Sequence, residues 1–91
     1  MKQVSQDIEI INKLGLHARA AAKFVSIASG YSSHVDVEKS GQRINGKSIM
    51  GVMMLAAGKG SIITLHIEGD DSAQCTNALT NLINNRFDED E

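Results

Sequence analysis

Short runs of alternating apolar and polar residues, each with a single apolar face, constrain this chain more than any other feature. Val4, Ile8 and Ile10 share one parity over residues 4–11. Val35 and Val37 alternate with His34, Asp36 and Glu38, and Ile63, Leu65 and Ile67 share a face over residues 61–67. A period of two marks a half-buried strand. Ser40-Gly41 is a turn signal, so residues 42–45 are expected to return as a further short strand. Helical spacing fills the intervals. Ala18, Ala21, Ala22, Val25 and Ala28 recur ahead of Gly30, and residues 49–57 form an apolar run ahead of Gly58. Cys75, Ala78, Leu79, Leu82 and Ile83 form the stripe of a last helix, capped by Asp70-Asp71-Ser72 and running to about residue 86. The predicted order is β-α-β-β-α-β-α. Strands with one apolar face require every helix to cover the same side of one sheet. That gives a two-layer α/β sandwich whose other face, with Gln6, Glu9, Asp36, Glu38 and Thr64, meets solvent.

A chain of 91 residues builds one domain, here read as 1–91, with the acidic stretch 88–91 expected to fray. The lone Cys75 cannot pair internally and suits a reducing compartment. No apolar run nears the roughly 20 residues that span a bilayer, and the first residues lack the apolar core of a leader. A cytoplasmic location is therefore expected. The net charge of −2 has its negative excess in Asp88-Glu89-Asp90-Glu91, the opposite of a nucleic-acid-binding footprint.

Chemistry concentrates in Leu14-Gly15-Leu16-His17-Ala18-Arg19. The glycine breaks the strand pattern, and an alanine-rich helix begins directly after the histidine. Helix N-termini carry unpaired N–H groups and about half a unit of positive charge, so they attract phosphate. His17 stands at that mouth, Arg19 follows two residues on, and small neighbours leave the imidazole open. His34 and His66 fall on the polar parity of their strands and read as solvated bystanders. No Cys, His or carboxylate stands at metal-ligand spacing from His17, so neither a metal nor another cofactor is expected.

Downstream, residues 41–48 spell G-x-x-x-x-G-K-S, the phosphate loop of nucleotide triphosphatases. The motif requires a loop after a buried parallel strand, whereas here a hairpin turn and a strand are expected. Nucleotide binding is thus a remote reading. Ser48 reads as an N-cap for the short helix or as a regulatory phosphorylation site. In Ile49-Met50-Gly51-Val52-Met53-Met54-Leu55 a short helix cannot bury every face, so some methionines can serve as an adaptable contact surface.

Three blocks resemble the histidine-containing phosphocarrier family, HPr, and its nitrogen-branch relative NPr. They are residues 12–19 (Asn-Lys-Leu-Gly-Leu-His-Ala-Arg), residues 46–55, and Gly58-Lys59-Gly60-Ser61. The resemblance covers essentially the whole chain. It implies an open-faced sandwich of four antiparallel strands with three helices on one side. It also implies that His17 takes a phosphoryl group on Nδ1 from Enzyme I, with Arg19 beside it, and passes it to an A-type enzyme II. Ser48 matches the serine phosphorylated by HPr kinase/phosphorylase in many members. Met50 and Met53 are expected to form the apolar centre of the partner surface, next to Ala18, with Arg19, Lys23 and Lys47 at its rim. A monomer without nucleic-acid or membrane partners is expected. One departure is Ala20, where the family usually has proline. The Ser48 block resembles kinase-regulated HPr, while Arg86-Phe87-Asp88-Glu89-Asp90 resembles the nitrogen branch. A regulatory binding protein of the same fold is the alternative reading.

Overall fold

The computed structural model describes residues 2–91. Its elements are β1 (Gln3–Glu9), α1 (Ala18–Ser29), β2 (His34–Lys39), β3 (Gln42–Asn45), α2 (Ile49–Met54), β4 (Ile62–Glu68) and α3 (Ser72–Asn84), then a 3-10 turn at Arg86–Asp88. The order is the one expected from the alternation. All strand pairs are antiparallel in one sheet, ordered β1-β4-β2-β3. The last strand thus inserts between the first two.

Register explains the core. Val4 pairs with Ile67, Ile8 with Ile63, Val35 with Ile67 and Val37 with Leu65, so apolar partners stack on one face. Val35, Val37, Ile63, Leu65 and Ile67 are fully buried beneath the helices. Gln6 pairs with Leu65 and therefore shares the inner parity. The placement of Gln6 on the solvent face is corrected: residues two apart on a strand point the same way, and β1, as an edge strand, leaves it exposed.

On the outer face polar side chains pair both across strands and along them. His66 Nε2 lies 2.8 Å from Glu38 Oε1, and His34 Nε2 lies 2.9 Å from Asp36 Oδ1. Arg43 Nε donates to Asp36 Oδ2 at 2.9 Å, and Thr64 Oγ1 donates to Asp7 Oδ1 at 2.7 Å. Both histidines sit on the expected polar face. His66 is hydrogen-bonded to Glu38 of the neighbouring strand rather than merely solvated, while His34 stays exposed beside Asp36 of its own strand.

Three helix details differ from the periodic reading. The buried side of α1 is Ala20, Ala21, Phe24 and Ala28, while Ala18 and Ala22 are exposed. Phe24, the bulkiest apolar side chain on α1, sets the rotation of the helix, because burying a phenyl ring outweighs burying methyl groups. Helix α2 stops at Met54 rather than residue 57. Ala56 adopts φ +50°, which no α-helix can continue through, so Gly58 is not the stop. Helix α3 ends at Asn84, and Arg86, Phe87 and Asp88 all take positive φ (57°, 53° and 64°). That left-handed turn swings Phe87 back into the core, where it is fully buried with Phe24. Burying the ring offsets backbone strain of about 1–2 kcal/mol per residue.

The nucleotide-loop spelling falls on a hairpin. Ser40 and Gly41 have φ of 52° and 84° and join Lys39 to its partner Gln42 through a two-residue turn. Residues 42–45 then pair with β2, and Gly46 N–H donates to Val35 O at 2.7 Å. A Cβ on Gly46 would meet Val35 Cγ1 at 2.5 Å, so this glycine serves sheet packing. Backbone groups engaged in this way cannot wrap a phosphate chain, and the nucleotide reading ends here.

Candidate phosphoryl-accepting site

The loop from β1 to α1 is shaped by a buried asparagine and a required glycine. Asn12 is fully buried and its Nδ2 donates to Gly15 O at 2.9 Å, while Gly15 N–H returns to Asn12 O at 3.2 Å. Gly15 has φ +65°, and a Cβ there would lie 2.5 Å from Ala57 O, so no larger residue fits. Leu16 is buried and its N–H donates to Ala57 O at 2.9 Å, tying this loop to the one after α2. Position 17 is thereby delivered to the start of α1.

His17 occupies the N-cap of α1 with extended backbone (φ −73°, ψ 178°), and its carbonyl accepts Ala21 N–H at 2.8 Å. The imidazole makes no capping bond, and the first turn holds no acidic residue. The ring is therefore left for other work at the positive end of a helix whose own first turn carries no carboxylate. Its side chain is 28% exposed and lines an open depression of about 810 Å³ with Leu14, Ala18 and Arg19. Arg19 is exposed and in no ion pair among the described residues, leaving its guanidinium available to an anion.

The same depression is lined by Glu89, Asp90 and Glu91. The stretch 88–91, expected from the sequence to fray, is placed against the loop before α1. Glu89 Oε2 is hydrogen-bonded to His17 Nε2, and Glu89 Oε1 accepts from Asn12 Nδ2 at 3.0 Å. The buried Phe87 and the hydrogen bond from Lys23 Nζ to Phe87 O, 2.8 Å long, hold the segment in place. Partial burial pulls the Glu89 carboxyl group upward. The hydrogen bonds from Asn12 and His17 and the charges of His17 and Lys23 outweigh it, holding Glu89 below the usual glutamate range. The sequence carried one signal for this arrangement, a phenylalanine set among charged residues.

Ser48 is the N-cap of α2, with Oγ accepting from Gly51 N–H at 3.1 Å. Beside it Met50 is 75% and Met53 41% exposed, and Met54 and Ile49 are exposed as well. Met54 thus lies outside together with the pair, Met50 and Met53, expected at the partner surface. The lysines of the expected rim are engaged: Lys23 with Phe87 O, and Lys47 Nζ with Tyr31 O at 2.8 Å. Lys23 also lies 3.8 Å from Asp88 Oδ2, whereas Lys47 is in no ion pair among the described residues and keeps its charge.

Residues 4–85 match the PTS-HPr family model, described as the PTS HPr component phosphorylation site. The chain is 58% identical over 88 residues to the phosphocarrier protein HPr of Neisseria meningitidis serogroup A, covering 97% of this chain and 99% of that protein. The crystal structure of HPr-C-His from Thermoanaerobacter tengcongensis superposes with a TM-score of 0.90 at 48% identity, with 100% of both chains covered. A crystal structure of an HPr dimer from the same organism gives a TM-score of 0.77 at 49% identity, covering 98% of this chain and 100% of that one.

Proposed function

Since this chain belongs to the PTS-HPr family and is a phosphocarrier of the phosphotransferase system, we propose that His17 is the residue that carries its phosphoryl group. The observation that carries this reading is an imidazole at a helix N-cap that caps nothing and faces an open depression beside an unpaired arginine. Nδ1 of His17 attacks the phosphorus of Enzyme I phosphohistidine in line. The donor N–P bond breaks as the new one forms, and the donor imidazole keeps the electron pair. Little covalent work falls to the protein, so positioning and charge neutralisation do most of the catalysis. Arg19 and the first-turn N–H groups of α1 meet the incoming phosphate charge. Each contact is modest at an exposed site, a dipole term being about 0.3–1 kcal/mol, which suits a group that must leave again for an A-type enzyme II.

Ala18, Met50 and Met53 supply the apolar contact with these partners and Arg19 the charge, a transient surface suited to fast, salt-sensitive docking. The protein works in the cytoplasm as a monomer, and light scattering checks the latter against the dimer known for a relative. Ser48 is the site of an HPr kinase/phosphorylase. A phosphate there adds a dianion at the docking surface, which repels acidic partner surfaces and slows transfer. Incubation with phosphoenolpyruvate and Enzyme I, read by intact mass, is expected to add one acid-labile phosphate. His17→Ala is expected to add none, and a phosphorylated His17→Ala protein refutes the assignment. In the same assay Ser48→Asp is expected to slow phosphorylation; an unchanged rate removes the serine switch.

A further inference from the structure

Glu89 lies beyond the stretch that matches the family model, yet its carboxylate bridges two residues of the phosphoryl-accepting loop. One oxygen is held by the amide of Asn12, itself buried and hydrogen-bonded to Gly15, so the carboxylate is aimed rather than loosely placed. The other meets His17 Nε2. A carboxylate accepts only, so in the neutral ring the contact places the proton on Nε2 and leaves the lone pair on Nδ1. Among the described residues no hydrogen bond reaches Nδ1.

We propose that Glu89 is a positioning residue for phosphoryl transfer, keeping the proton on His17 Nε2 both before transfer and while the phosphoryl group is carried. The inference rests on His17 being the phosphoryl acceptor. When Nδ1 takes the phosphoryl group, the ring retains its Nε2 proton and becomes a phosphoimidazolium beside a carboxylate. When the group departs, the N–P electron pair stays on Nδ1 and the leaving group is neutral imidazole. Without the Nε2 proton the same departure would expel an imidazolate, a far poorer leaving group. Glu89 therefore keeps the carried group transferable. The other charged groups around the ring are Lys13 in the loop, Arg19 and Lys23 on α1, and Asp88, Asp90 and Glu91 in the tail. None of these is hydrogen-bonded or ion-paired to the imidazole; Glu89 is.

The test uses the full chain, phosphorylated by Enzyme I and phosphoenolpyruvate, with loss of phosphate followed against pH by intact mass. Failure of the unaltered protein to take phosphate strikes the assignment of His17 and is seen before any variant is compared. For phosphorylated Glu89→Gln, which keeps the shape and an acceptor oxygen but loses the charge, hydrolysis at pH values above the midpoint of the parent is expected to slow, by up to about tenfold for a one-unit shift. The midpoint of its pH profile is expected to move down by roughly one unit or more, the effect of removing one adjacent opposite charge. Glu89→Asp is expected to recover part of that shift. In the unphosphorylated proteins, nitrogen NMR is expected to find the Nε2–H tautomer dominant in the parent and diluted in Glu89→Gln. Matching hydrolysis profiles for the parent and Glu89→Gln, or an Nδ1–H tautomer in the parent, overturns the proposal.

Discussion

Two carboxylates flank the ends of α3, and each reaches across to hold a different loop. Asp71, at the start of the helix, accepts from the N–H groups of Ser32 and Ser33 at 2.8 and 2.9 Å and from both hydroxyl groups. Glu89, past the far end, accepts from the Asn12 amide and the His17 imidazole. The difference lies in the donors. Those of Asp71 are backbone and hydroxyl groups that keep their protons at every relevant pH, so the contact is permanent. One donor of Glu89 is a ring whose charge changes if, as proposed, it takes the phosphoryl group. The same side-chain chemistry thus makes a fixed latch at one end and a responsive contact at the other.

The comparison breaks most completely at Phe87, whose burial brings Glu89 to the site. Phe87→Ala is expected to cost about 3–5 kcal/mol in chemical unfolding, as truncation of a buried phenylalanine does. It should also release the tail, so that the His17–Glu89 contact is lost in NMR spectra. A variant that keeps the contact shows that the polar contacts of the segment, from Lys23, Asn12 and Lys13, hold it without the ring.

A smaller effect probes the fixed latch. Hydrogen bonds, led by the Ser33 hydroxyl and then Ser32 N–H, outweigh desolvation and draw the Asp71 carboxyl from its ordinary 3.8 to about 2. A carboxyl lowered by folding stabilises above its unfolded value and loses that contribution as pH falls through the folded value. Asp71→Asn is therefore expected to melt below the parent at neutral pH. The gap should close between pH 3.8 and about 2, with both melting curves recorded across that window. A gap independent of pH shows that the carboxylate charge is not what holds Ser32 and Ser33.

The smallest effect concerns the rigidity of the His17 side. Ala20 is buried in the first turn of α1, where an N–H has no intrahelical partner. Ala20→Pro, restoring the usual family residue, is expected to stabilise by about 0.4–1 kcal/mol through the unfolded chain. A lower melting temperature shows that the ring does not fit this turn.

Strand alternation, the Ser40-Gly41 turn and the N-cap position of His17 were legible residue by residue, because each depends on neighbours a few positions away. The sheet followed from them, since segments with one apolar face have few ways to be covered. The rotation of α1 about Phe24 and the early end of α2 at Ala56 were not legible. A helix turns to suit what it packs on, and periodicity alone leaves that choice open. The contacts of the tail were not legible either: its charge argued for solvent, and the burial of Phe87 argued back. Composition and local pattern therefore determined which elements form and where the imidazole stands. Tertiary structure alone decided what the imidazole touches, because Glu89 and His17 lie 72 residues apart and meet only after the core has closed over Phe87.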